Sequence, residues 1–187
     1  VGLIAAAAVV AGVAIDRQIR PAAASRAAAD SPVQYVGTIR EIMHAIVEPA
    51  SDAIFDSVEI NVTLEGISEK QPRTDAEWEA VEHGAIALAE AVVLMKMPGR
   101  PVARPDEMNI DPEGPELPPS QVAAHIARLP DEWNKYSDGL QRAAIQTINF
   151  ARARDVKGLY EVGTTIDDAC EACHLVFWYP DDAKYRQ

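Results

Sequence analysis

Five consecutive residues, Cys170-Glu171-Ala172-Cys173-His174, put two thiols three positions apart and an imidazole directly after the second. On a helix such sulfurs lie about one turn apart, with the next residue beside them. That spacing suits covalent attachment of a c-type haem: each thiol adds across a porphyrin vinyl group, and His174 ligates the iron as the proximal ligand. The chain has only these two cysteines. A structural zinc site would therefore need His44, His83 and His125, which form no second Cys-x-x-Cys or His-x-x-x-His pair. A thioredoxin-like dithiol would want a βαβ setting, and this sequence reads as helical. One covalently attached haem c is the expected cofactor.

Helices must position that motif, and the apolar spacing supplies them. Large apolar residues at Val36, Ile39, Met43, Ile46, Val47, Ala50 and Ile54 follow the i, i+3, i+4 stripe of an amphipathic helix A, expected from Pro32 to about Glu59 with a kink at Pro49. Thr74-Asp75-Ala76-Glu77 is a capping box that opens helix B, running to about Lys96 with Trp78, Val81, Ala85, Leu88 and Val92 inward. Residues 97–119 hold seven of the thirteen prolines and read as a long extended insertion. Helix C starts at Ser120, is interrupted near Leu129-Pro130 and continues to about Arg154. Asp155 is the N-cap expected for helix D, which carries Leu159, Val162, Ile166, Cys170, Cys173 and Phe177 on its inner face. No strand pattern competes. The expected fold class is all-α, an antiparallel four-helix bundle over residues 32–187 with a C-terminal haem-c site.

The 187 residues carry a formal charge of −12, which argues against nucleic acid and anionic lipid headgroups as partners. An acidic face suits a basic patch on a redox partner. The apolar run Val1 to Ile15 belongs to a membrane or a translocon, so residues 1–20 are expected to be an N-terminal hydrophobic helix serving as membrane anchor or signal segment. Ala22-Ala23-Ala24 and Ala27-Ala28-Ala29 would both serve as cleavage sites, and the anchor is the reading carried forward. Arg17, Arg20 and Arg26 then flank it on the outer side, against the usual bias. Residues 21–31 read as an alanine-rich linker. On either reading the rest of the chain is exported, to the periplasm and the outer side of the inner membrane.

With the haem motif in its last helix, the chain resembles the class II c-type cytochromes, the cytochrome c-prime and cytochrome c-556 family. The resemblance rests on Ile42-Met43-His44-Ala45-Ile46-Val47 in helix A and Ala169-Cys170-Glu171-Ala172-Cys173-His174 in helix D. It covers helices A, B and D, is weaker in helix C, and leaves the proline-rich segment as an insertion. It implies that the residue of helix A facing the iron decides the chemistry. In c-556-like members a Met there is the sixth ligand; in c-prime members an apolar residue closes that face and the iron stays five-coordinate.

Met43 occupies the corresponding stretch and is the expected second iron ligand beside His174. Core filling by its thioether is the plain alternative. His44 is a rival ligand, about 100° further round the helix on the polar side. Phe177 is expected against the haem edge, Trp178 near a propionate through its indole N–H, and Arg40 as a propionate ion-pair partner. Phe177-Trp178-Tyr179 departs from the Arg or Lys that c-prime members often place after their aromatic. The function implied is electron transfer, not enzymatic turnover, with redox partner proteins that include a membrane-bound complex. The alternative is five-coordinate binding of nitric oxide or carbon monoxide.

Overall fold

The structure is a computed structural model that describes residues 34–111 and 115–180. The expected anchor and linker lie outside the described residues. The described chain is mostly helical, with one two-stranded sheet.

The first helix begins at α1 (Ile39–Ile42), passes through a π-helical turn at Met43–Val47 and continues as α2 (Glu48–Phe55). It starts later than its apolar stripe suggested, because Thr38 and Glu41 form a capping box that ends the extended backbone there. Val36, assigned to the stripe, lies outside the helix and is 95% exposed. The expected kink at Pro49 takes another form. Proline has no N–H to offer the carbonyl four residues back and its ring crowds that carbonyl. The turn just before it is widened, and Glu48 N–H bonds to Met43 O, five residues back.

A hairpin follows, β1 (Glu59–Thr63) paired antiparallel with β2 (Gly66–Lys70), Val62 opposite Ile67. This corrects the expectation that no strand forms. Ile60, Val62 and Ile67 have the period of a strand, but every residue of both strands is exposed, so no hydrophobic core marked the hairpin. Gly66 at φ 138° closes the two-residue turn. The Tyr160 hydroxyl ties the base of the hairpin to the main body, within reach of the carbonyls of Glu59 (2.9 Å) and Lys70 (3.1 Å).

Helix α3 (Asp75–Met95) starts at the Thr74 and Glu77 capping box. Helices α4 (Pro119–Arg128) and α5 (Pro130–Ala153) are separated at Leu129, where Pro130 starts a new helix. Arg154, in the left-handed region at φ 54°, ends α5, and Asp155 caps α6 (Val156–Phe177) by accepting from Gly158 N–H at 3.0 Å. Helix α3 packs along α5, α5 along α6, and α2 against both α3 and α6. Ile54, Leu88, Val92, Ala144, Ile166 and Phe177 have no exposed surface and form the shared core.

The sharp α5 to α6 corner depends on a missing side chain. A Cβ on Gly158 would stand 2.4 Å from the Phe150 ring. Gly158→Ala is expected to cost about 1–3 kcal/mol by overpacking. In a Phe150→Ala background most of that cost should vanish, which a double-mutant cycle by urea unfolding would measure.

Candidate functional site

A cavity of about 600 Å³ opens between the first helix and α6, within the ~300–1,000 Å³ range of cofactor pockets. The first helix contributes a continuous i, i+3, i+4 row: Arg40, Met43, His44, Val47, Glu48, Ser51, Asp52 and Phe55. Helix α6 contributes Asp167, Cys170 and His174, one turn apart in succession. Trp178 and Tyr179 close one end, and Val102, Ile110, Leu117 and Val122 bring apolar cover from the proline-rich segment and the start of α4.

His174 is fixed from several sides. Its carbonyl accepts from the N–H groups of Trp178 (2.8 Å) and Tyr179 (3.0 Å). The Trp178 ring stands edge-on to the imidazole at 5.5 Å, with Tyr179 at 5.9 Å. The Tyr179 hydroxyl donates to Glu171 Oε2 at 2.6 Å, and Leu117 N–H donates to Trp178 O at 2.6 Å, tying the cover to the end of α6. Burial lowers the His174 pKa, opposed by the negative charges of Glu171 and Glu116. The ring is therefore neutral near pH 7, the form that offers a lone pair to a metal.

Burial is also the main influence on the two thiols. It pushes Cys170 up to about 11, helped by the charges of Asp167 and Glu171, and Cys173 up to about 12, helped by Cys170. No disulfide joins the two. They differ in direction: both pack against the core, but Cys170 also lines the cavity and Cys173 does not. At ~100° per residue Cys173 lies about 60° beyond Cys170 on the side away from His174.

Five of the residues singled out from sequence thus share one cavity: Met43, Arg40, Cys170, His174 and Trp178. His44 also reaches its rim, mostly exposed, with Nδ1 3.2 Å from Glu48 Oε2. Phe177 does not line the cavity. It is fully buried, edge-on to Trp133 at 5.4 Å and to Tyr136 at 6.4 Å. Helix geometry accounts for this, since Phe177 continues the line of Leu159 and Ile166 into the core. Sequence reasoning missed the cover residues Val102, Ile110 and Leu117, whose one local signal is their apolar character among prolines. Ser51 was also missed; its hydroxyl is buried without a hydrogen-bond partner.

The donor set fits a covalently held haem: an apolar-covered cavity, a thiol in its wall with a second one 60° round the same helix, a neutral imidazole, and a thioether on the facing helix. Among the described residues no group of three or more His, Cys, Asp or Glu side chains could hold a bare metal ion, and no helix is long and apolar enough to cross a membrane. No protein-family model, curated protein or solved structure matches the chain.

Proposed function

We propose that this chain is a monohaem cytochrome of the class II c type that carries electrons on the periplasmic side of the inner membrane, tethered there by residues 1–20. The observation that carries the reading is the meeting of Met43, Cys170 and His174 in one cavity, from opposite ends of the described chain. The packing of α2 on α3 and α6, and of α5 on both, supports an antiparallel four-helix bundle made by the first helix, α3, α5 and α6, with α4 and the hairpin as additions.

When bound, haem c supplies a one-electron iron couple. The protein's part is to hold and shield. Cys170 and Cys173 would tether the porphyrin, Cys173 by turning its thiol toward the cavity. His174 would be the proximal ligand, kept neutral by burial and oriented by Trp178 and Tyr179. Met43 would close the opposite face as a soft ligand that raises the potential relative to a second His. Arg40 would meet a propionate charge, and Val102, Ile110, Leu117 and Val122 exclude water from the apolar side. Fixed ligands limit reorganisation between oxidation states, which is what a carrier needs. Its partners are redox proteins, a membrane-bound complex among them.

The test is the optical spectrum of the purified protein, oxidised and reduced, with and without carbon monoxide. Met43 ligation predicts a low-spin spectrum with a sulfur-to-iron charge-transfer band, unmoved by carbon monoxide. In Met43→Ala that band should vanish while the haem stays attached. A high-spin wild-type spectrum that shifts with carbon monoxide would remove Met43 as ligand and make gas binding the function.

A further inference from the structure

The first part of the proline-rich segment is a strap across the start of the first helix. The carbonyls of Pro101 and Val102 accept from the N–H groups of Ile39 and Arg40, both at 2.9 Å. These are two of the donors that a helix start leaves without intrahelical partners. Thr38 Oγ1 accepts from a third, Glu41 N–H, at 3.2 Å. Arg100 clasps the strap. Its Nε donates to Leu94 O near the end of α3, its Nη1 to Gly37 O just before α1, and its Nη2 lies 3.2 Å from Met97 Sδ. The guanidinium also sits over the Tyr35 ring at 4.8 Å, and the Tyr35 hydroxyl donates to Pro98 O.

The clasp stands close to the cavity. Val102, two residues on, is buried and lines it together with Met43. Met43 follows directly on α1, the opening turn of the continuous first helix, and itself begins the π-helical turn; an end turn frays more readily than the helix behind it. Burial of Ile39 and Ile42 presses α1 sideways onto its neighbours. The strap adds the backbone bonds that hold its N-terminal end.

We propose that Arg100 is a positioning residue that locks the first helix so that Met43 keeps its place over the cavity. The proposal rests on the reading of Met43 as the distal ligand. Without the three-way clasp the start of α1 loosens, and the thioether spends part of its time off the iron. A planar fork with several fixed donors is required, so lysine is not equivalent.

The experiment compares wild-type holoprotein with Arg100→Ala, Arg100→Lys and Lys96→Ala. The last removes a neighbouring ion pair with Asp138 that does not touch the strap. Two readouts are taken: the oxidised charge-transfer band with the carbon monoxide titration of the reduced form, and hydrogen exchange at the amides of Ile39 and Arg40. Arg100→Ala should keep its covalent haem, weaken the band, shift its reduced spectrum at carbon monoxide concentrations that leave wild type unmoved as the five-coordinate fraction grows, and speed exchange at both amides. Arg100→Lys should fall between, and Lys96→Ala should match wild type. If Arg100→Ala does not fold, Arg100→Lys alone carries the comparison. An unchanged band and unchanged exchange in the Arg100 variants, or an equal response in Lys96→Ala, overturns the assignment. A wild type without the band overturns the Met43 reading and this role with it, while faster exchange in Arg100→Ala would still identify the clasp on α1.

Discussion

Serine at both Cys170 and Cys173 is expected to yield a protein that carries no covalently bound pigment. In the wild type two thioethers would survive boiling in detergent, so a haem-dependent peroxidase stain should mark the polypeptide after denaturing electrophoresis. In the double variant the stain should be lost completely, and the intact mass should fall to that of the bare chain. Neither cysteine is at the centre of the core; both are half-buried at its margin, so serine leaves most of the packing intact. Each buried hydroxyl that lacks a partner costs about 1–3 kcal/mol, enough to weaken the fold without abolishing the helical signal. The single variants should differ from the double, because one remaining thioether still holds the porphyrin to the chain. A wild-type protein matured with haem supply and exported, yet colourless and joined through a Cys170–Cys173 disulfide, would mean that the motif is a redox dithiol and that the cytochrome reading is wrong.

Phe177→Ala is expected to lower stability by about 3–5 kcal/mol, the range for emptying a buried aromatic site. The ring has no exposed surface and meets Trp133 and Tyr136 edge-on, so the loss includes two aromatic pairs as well as a cavity. For a domain of this size that corresponds to a fall in Tm on the order of 10 °C. Since Phe177 lies outside the cavity wall, the spectrum of the folded variant at low temperature should match wild type. Thermal unfolding by circular dichroism and a spectrum taken well below the midpoint decide it. A loss below about 1 kcal/mol accompanied by a shifted spectrum would put the ring back against the bound group.

The parts of this fold that were readable in one dimension are those governed by neighbours within a turn. Thr74 and Glu77 open α3 as their spacing requires, and Asp155 caps α6. The inward row Trp78, Val81, Ala85, Leu88 and Val92 is buried. Thr38-Ile39-Arg40-Glu41 carries the same capping pattern and was readable too, but the apolar stripe running through Val36 masked it. The hairpin was harder to find because its strands bury nothing. The stripes on the first helix and α6 named Met43, Cys170 and Cys173 as inward-facing, which is as far as periodicity reaches.

Sequence alone carried the chemistry proposed for the site, since two thiols and an imidazole at fixed spacing on one helix are a local arrangement that the helix preserves. Tertiary packing decided which residues of other helices share a cavity with them. It put Met43 and Arg40 in the same cavity as His174, on the facing helix, and sent Phe177 into the core. It also turned a proline-rich insertion into the strap that caps α1 through Pro101, Val102 and Arg100. The physical reason is range: helix stripes and caps act over three or four residues, whereas the strap joins groups more than sixty positions apart, and such contacts form only once the helices between them have packed.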